Sequence, residues 1–550
     1  MTRRAADLLV DCLVAHGVDR LFCVPGESYL AVLDALHDRN AIETVVCRHE
    51  GGAGFMAVAD GKLTGRPGIA FVSRGPGATN ASIAVHVAEQ DAVPLVLFIG
   101  QVPRNEIGRR SFQEVDYAKT FADMAKAVWT IEDANRIPEV VARAFVVAQT
   151  PTPGPVIVVL PEDMLEDRAD SSVVEPLGVP RAAAPSSDIV ADVAARIARA
   201  ERPLLLAGGR LDGPQGRLAL KAASEAHAIP VVLTFKRQDL FPNTHPNYAG
   251  HTGFKMPKAM VDRYAEADLI LAVGTRLGET TTQGYTFPAS PVPKQPLIHV
   301  YDDASQIGRE YATALPIVAD AAQFLSALAA HPSDKPSARQ AWIARLNKPI
   351  AASQPWSPPK DGMLDMGAVV AAFKDKVPRD AIFVTDAGNF SGWLHRHFPF
   401  NGEQILLGCV GGAMGIGMPA AVAAGLRRPG RQVITFIGDG GMLMTGSELA
   451  TAVQYGVPVK VFVSSNGSYG TIRMHQEKAY KGRVHGTEIR NPDFARWAES
   501  FGAKGMSIRS LDDPADVVAA ALAHDGPVVV DVKTSLEHIS PFANLADLGR

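Results

Sequence analysis

Val433–Gly470 reads VITFIGDGGMLMTGSELATAVQYGVPVKVFVSSNGSYG, and it decides the fold class. An unbroken apolar run, VITFI, ends at Gly438-Asp439-Gly440-Gly441. A stretch of helical pattern follows (SELATAVQYG), then a second apolar run, VKVFV, ending at Ser465-Asn466-Gly467-Ser468-Tyr469-Gly470. Apolar runs without alternation suit strands buried on both faces, and such strands belong to parallel sheets covered by helices. Glycines just past a strand let backbone N–H groups approach a phosphate. Asp439 and Asn466, at the ends of successive strands, can meet at one point. A carboxylate and an amide oxygen there suit a hard cation such as Mg²⁺, which prefers oxygen and shares its shell with phosphate.

Outward from this stretch the rhythm repeats. Apolar runs recur at Gly68–Val72, Pro94–Ile99, Pro155–Leu160, Pro203–Ala207, Leu269–Val273, Ile382–Thr385 and Pro527–Val532. Two segments interrupt it: Asp167–Ser187, with neither helix nor strand period, and His331–Gly362, rich in Pro and Ser at both ends around one short helix-like segment. Both read as linkers. The expectation is an α/β chain of three consecutive doubly wound parallel-sheet domains over residues 1–166, 188–330 and 362–540. No sequence repeat relates the first block to the third.

Composition agrees with a globular chain of this kind. Of 550 residues, 47% are hydrophobic and 20% charged, which excludes disorder and coiled coil as whole-chain readings. The 54 Lys+Arg and 58 Asp+Glu nearly balance, so no electrostatic footprint for nucleic acid or an anionic membrane is present. Cys12, Cys23, Cys47 and Cys409 form no CxxC pair, and a reduced, cytoplasmic compartment is expected. Asp7 and Asp11 interrupt any apolar leader, and no run approaches a membrane span.

The first block carries a second signal. Val46–Asp60 reads VCRHEGGAGFMAVAD, a strand end passing into a helix start. Glu50, walled by small and apolar residues, would lose solvation and have its pKa raised, as suits a group sharing a proton with a substrate or cofactor nitrogen. A plain helix-N-terminal Glu favoured by the dipole is the alternative. Further strand-end loops are Pro25-Gly26-Glu27, Ser73-Arg74-Gly75-Pro76-Gly77-Ala78-Thr79-Asn80, and Gln101–Gln113, where Phe112 and Gln113 could present an aromatic wall and an amide. Open α/β sheets bind ligands at such strand ends.

Together these residues resemble the thiamine-diphosphate-dependent family that contains acetolactate (acetohydroxyacid) synthase, pyruvate oxidase and benzoylformate decarboxylase. The resemblance spans nearly the whole chain as pyrimidine-binding, central and diphosphate-binding domains. It implies that Asp439, Asn466 and the Ser468 carbonyl hold Mg²⁺ and that Glu50 protonates N1′ of the cofactor's aminopyrimidine. Met414, in Val410–Pro419, would prop the bent cofactor. Implied cofactor contacts are Pro25, Gly26, Glu50, Gly388, Asn389, Met414, Gly438, Gly440, Gly441 and Tyr469, with Glu50, Gln113 and His475 as catalytic candidates.

Within the family, the GPGATN loop, Gly100-Gln101-Val102-Pro103-Arg104 and Phe112-Gln113 favour the acetolactate-synthase branch. That implies a carboligase that decarboxylates a pyruvate-like 2-keto acid and passes the fragment to a second carbonyl. The alternative is a decarboxylase, C–C lyase or flavin-linked oxidase without carboligation. A cofactor-binding protein without turnover is a third reading, opposed by the intact Glu50, Asp439 and Asn466. Two departures bear on substrate. His475 stands where synthases carry a Trp, and Gly250-His251-Thr252-Gly253-Phe254 replaces the synthase Met-His-Gly. His475 is either a substrate-facing acid/base or a solvent-edge residue. The central block resembles the family's FAD-binding domain at Ala207–Arg210, Gly274–Leu277 and Ile298–Asp303; FAD, another nucleotide or none remain open. The resemblance also implies a homodimer or homotetramer with sites shared between chains.

Overall fold

The computed structural model describes residues 2–254, 256–332 and 339–548. Three six-stranded sheets follow one another along the chain, each all-parallel and flanked by helices. In spatial order, the first sheet comprises 43–46, 20–23, 68–72, 95–101, 155–161 and 127–130. The second comprises 248–251, 231–233, 203–207, 269–273, 297–301 and 315–318. The third comprises 405–408, 382–385, 433–438, 460–464, 528–532 and 504–508.

Numbered along the chain within each sheet, the first and third share the order 2-1-3-4-6-5, whereas the second is 3-2-1-4-5-6. The two outer domains are therefore topological copies despite the lack of sequence repeat. Each order reverses beside its first strand, and the crevice at that reversal is where open α/β sheets take ligands.

The continuous apolar runs have a direct cause. Ile69 and Phe71 point into one core with Val96 and Phe98, while Ala70 and Val72 point into another with Leu95, Leu97 and Ile99. In the third sheet Phe383, Ile434 and Phe436 fill one side, and Ile382, Val384, Val433 and Ile437 the other. Each fully buried Leu, Ile, Val or Phe contributes on the order of 1.5–3 kcal/mol of apolar transfer, so both faces demand apolar residues.

One of these cores is common to the first and third domains. The Glu50–Thr64 helix packs there on the Gly417–Arg427 helix. Ala53 and Ala57 share a buried core there with Ala420, Ala421, Ala423 and Ala424, and such small side chains let two helices approach closely. At its end Arg427 donates to both Asp60 oxygens at 2.6 and 2.9 Å.

The segments read as linkers are less bare than the sequence suggests. Arg168–Ala169 pairs antiparallel with Arg3–Arg4. Residues 333–338 of the second segment lie outside the described residues, but Gln340–Ser353 is a helix that buries Trp342, Ile343 and Leu346. Trp342 Nε1 donates to the Pro203 carbonyl at 2.9 Å, and buried Arg339 donates to the carbonyls of Ile197, Ala200 and His227. This helix is thus seated on the central sheet. Pro349 inside it hides the helical period. Among the described residues no helix is long and apolar enough to cross a membrane. All four cysteines are buried and free.

Candidate functional site

Strand 433–438 delivers Asp439 as the first residue of the Asp439–Thr445 helix, at the reversal point of the third sheet. Asp439 is buried. Its Oδ2 accepts the N–H groups of Asn466 and Gly467 at 3.0 and 2.8 Å and the Asn491 amide at 2.7 Å; its Oδ1 accepts Gly440 N–H, at 2.9 Å. Burial holds the carboxyl above its ordinary range, against these hydrogen bonds. Asn466 Oδ1 accepts Ser468 N–H at 3.0 Å, which folds the loop back over Asp439.

These groups border a cleft of about 220 Å³. Gly388, Asn389, Met414, Gly438, Asp439, Gly440, Gly441, Asn466, Ser468 and Tyr469 all line it, so the cofactor and metal candidates of the third block, though not His475, converge on one place. The glycines are required by space. A Cβ on Gly440 would stand 2.6 Å from the Tyr469 ring and 3.2 Å from Met414 Cε; one on Gly438 would stand 2.9 Å from Phe390.

A hard divalent cation fits the donor set, which is all oxygen: the Asp439 carboxylate with capacity left on Oδ1, the Asn466 amide and the Ser468 carbonyl. The bare helix start and its glycines suit a diphosphate, because they offer N–H groups without side chains in the way.

Met414 is held by Asp386, one residue past the neighbouring strand. The fully buried Asp386 carboxylate accepts Gly415 N–H at 2.9 Å and Gly417 N–H at 3.1 Å, and burial pushes it up to about 6. Lys236 of the central domain donates to Thr385 Oγ1 at 2.8 Å on the other side of this turn.

The candidates from the first block lie elsewhere. None of Pro25, Gly26, Glu50 or Gln113 lines the cleft. Glu50 is the first residue of the Glu50–Thr64 helix, whose N-cap His49 accepts Gly51 N–H on Nδ1 at 3.0 Å. Glu50 is half-buried within one chain, and its Oε2 accepts the Asn80 amide at 2.9 Å. Gly26 packs on Ser73, 2.5 Å from where its Cβ would be. Gln113, at φ 64°, gives its carbonyl to Gly75 N–H at 3.0 Å, while Phe112 beside it is 74% exposed. Pro25-Gly26 and Ser73 follow strands 20–23 and 68–72, on either side of the reversal point of the first sheet.

His475 also stands outside the cleft lining. It lies on the Gly470–Ala479 helix, one turn past Thr471, which does line it. Its ring meets Phe254 of the central domain edge-on at 6.1 Å.

Sequence reasoning missed several groups. Asn491 binds Asp439 from 52 residues away, and Thr471 Oγ1 accepts Asn389 N–H at 3.1 Å. The tail supplies Thr534, His538 and Ile539 to the cleft. Asn80 bonds Glu50 from thirty residues away, a spacing that gives no sign of the contact.

A third opening, about 1520 Å³, lies between the domains. The loops after strands 203–207 and 269–273 border it with Gly209, Arg210, Gly274, Thr275 and Arg276, at the reversal point of the central sheet. Arg210 also pairs with Asp302 at the end of strand 297–301.

Comparison with known proteins gives the same three parts. Residues 3–120 match the thiamine pyrophosphate enzyme N-terminal TPP-binding domain, 190–328 the central domain and 386–532 the C-terminal TPP-binding domain. The acetolactate synthase large subunit of Parasynechococcus marenigrum (strain WH8102) is 32% identical over 96% of this chain and 87% of its own length. That of Lactococcus lactis subsp. lactis (strain IL1403) is 30% identical over 98% and 94%. A putative thiamine pyrophosphate-containing protein, YdaP, of Bacillus subtilis (strain 168) is 30% identical over 96% and 91%.

Proposed function

This chain belongs to the thiamine pyrophosphate enzyme family, and from that premise we propose that it is a carboligase. It would decarboxylate a pyruvate-like 2-keto acid and transfer the resulting acyl carbanion equivalent to a second carbonyl. The observation that carries the reading is the convergence of Asp439, Asn466, Ser468, Met414 and the strand-end glycines on one cleft, in a chain related throughout to acetolactate synthases.

Thiamine diphosphate, when bound, supplies the electron sink that loss of CO₂ requires. The residues do the rest. Asp439, Asn466 and the Ser468 carbonyl would hold Mg²⁺, which would neutralise the diphosphate charge. The Gly388-Asn389 and Gly438–Gly441 turns and the Tyr469 loop, which line the cleft, would receive the phosphate oxygens. Met414, fixed through Asp386, supports the middle of the cofactor. Glu50 would give and take a proton at the aminopyrimidine N1′, with Pro25 and Gly26 as contacts to that end of the cofactor and Gln113 as a catalytic partner. Water exclusion comes from the apolar walls of the cleft, Met366, Phe390, Trp393 and Ile539.

Because Glu50 lies outside the cleft of its own chain, the site is completed by a two-fold partner, making at least a homodimer and, with a second two-fold, a homotetramer. Ile83 on the Gly75–Asp91 helix and Leu443 and Met444 on the Asp439–Thr445 helix are 40–50% exposed in the single chain, which supports a covering partner there. The 1520 Å³ opening is large enough for a dinucleotide, with Arg210 and Arg276 as phosphate partners, and FAD is the occupant we propose.

The second reading, a decarboxylase, lyase or flavin-linked oxidase without ligation, is favoured by His475 in place of the synthase Trp. A screen of 2-keto acids and aldehydes with the holoenzyme, reading CO₂ and product together, decides between them. A ligated product in step with CO₂ is expected; CO₂ with free aldehyde, or with oxidant consumption, would replace the first reading by the second. His475→Trp is expected to shift preference among acceptors more than it changes donor decarboxylation, because specificity is a difference between competing contacts. Unchanged acceptor ratios in a competition assay would remove His475 from the pocket.

A further inference from the structure

The turn that presents Glu50 is built partly by the opposite end of the chain. Glu448 closes the short Gly446–Glu448 turn that continues the Asp439–Thr445 helix, nine residues after Asp439. It is fully buried. Its Oε1 accepts the backbone N–H groups of Arg48 and His49 at 3.0 and 3.1 Å, the two residues immediately before Glu50. Its Oε2 accepts the Thr451 hydroxyl at 2.6 Å. The fit leaves no slack: a Cβ on Gly52 would stand 2.3 Å from Glu448 Oε1. Seven residues on, Tyr455 OH accepts Val46 N–H at 2.8 Å and donates to the Thr44 carbonyl at 3.1 Å. Arg48 adds a bond to Gln454. One short segment of the third domain thus grips the strand, turn and helix start that end in Glu50.

We propose that Glu448 is a positioning residue for Glu50: it fixes, within its own chain, the carboxylate that serves the partner's cofactor. The proposal rests on the shared-site reading above. A proton relay works over hydrogen-bond distance, and a misplacement of about 1 Å can cost on the order of 100-fold. Removing the Glu448 carboxylate leaves two N–H groups without acceptors and frees the turn.

Glu448→Ala is therefore expected to slow exchange of the cofactor's C2 proton about 100-fold, while thiamine diphosphate and Mg²⁺ affinity, set by the intact Asp439 cleft, changes by less than about 3-fold. Glu448→Gln keeps an acceptor for both N–H groups and can donate to Thr451, so it restores most of the exchange rate. If the Ala chain fails to assemble, Glu448→Asp, which withdraws the acceptor by one methylene, takes its place.

The decisive arm is complementation with differently tagged chains. Mixed with Asp439→Ala chains, Glu448→Ala chains should recover roughly a quarter of wild-type sites, because one mixed site takes an undisturbed Glu50 and an intact Asp439. Mixed with Glu50→Gln chains they should recover nothing. Recovery with Glu50→Gln, or silence with both partners when a mixture of Glu50→Gln and Asp439→Ala chains does recover, overturns the proposal. A parallel mixture of Glu50→Gln and Asp439→Ala reports on the shared site itself. If that mixture is silent as well, the shared site falls while the exchange-against-affinity comparison still decides the role of Glu448: equal loss of both contradicts it.

Discussion

Replacing Glu50 by Gln is expected to slow exchange of the cofactor's C2 proton by roughly 10²–10⁴-fold, the range typical of a positioned general acid–base group. The substitution is nearly isosteric. The amide still reaches the Asn80 side chain that Glu50 Oε2 now engages, and His49 still caps the helix through Gly51 N–H. Fold and cofactor binding should therefore survive. What is lost is a carboxyl that can give and take a proton at N1′. Exchange followed by NMR on the loaded enzyme reads this directly, and an unchanged rate would remove Glu50 from the proposed role.

The second large effect is expected from Asp439→Ala. Asp439 is one of two side chains offered to the cation, and it also organises the loop opposite. Its carboxylate accepts Asn466 and Gly467 N–H and the Asn491 amide, so its removal loosens both the other side-chain ligand and the turn carrying Ser468. Loss of a ligand should exceed the 10–100-fold typical of an outer partner, so thiamine diphosphate affinity is expected to fall by at least about 100-fold. Asn491→Ala, which touches the cation only through Asp439, should fall within that 10–100-fold range. Wild-type affinity of Asp439→Ala by calorimetry would put the metal elsewhere.

Much of this architecture was legible because central strands of parallel sheets must be apolar on both faces. Gly68–Val72, Pro203–Ala207, Leu269–Val273 and Ile382–Thr385 coincide with strands of the structure. The edge strands at Glu43–Val46, Ala127–Thr130 and Leu315–Val318 are half-exposed, and the first two include polar residues, so those two gave no comparable run. Strand order was not legible at all. It is set by which faces the intervening helices cover, and that hid the shared 2-1-3-4-6-5 topology of the outer domains.

The site divides in the same way. Residues adjacent to a strand end, such as Asp439 and Asn466, announce themselves, because chain geometry alone brings neighbouring strand ends together. Partners that arrive from afar do not. Asn491 looks like part of an ordinary Asn-Pro turn, and Glu448 like a polar residue on a helix face, although it reaches a turn about four hundred residues away. The cleft's tail residues Thr534 and His538 follow a strand, but nothing in their types distinguishes them from a surface loop.

The central claim is that one active site takes Glu50 from one chain and Asp439 from its partner. Chains carrying Glu50→Gln and chains carrying Asp439→Ala, each inactive alone and differently tagged, can be unfolded together and reassembled. In a mixed dimer one site collects both lesions and the other neither, so random pairing is predicted to restore roughly a quarter of wild-type sites. Confirmed mixed dimers that stay at the activity of the single variants would mean that both residues act within one chain, and the shared site would be wrong.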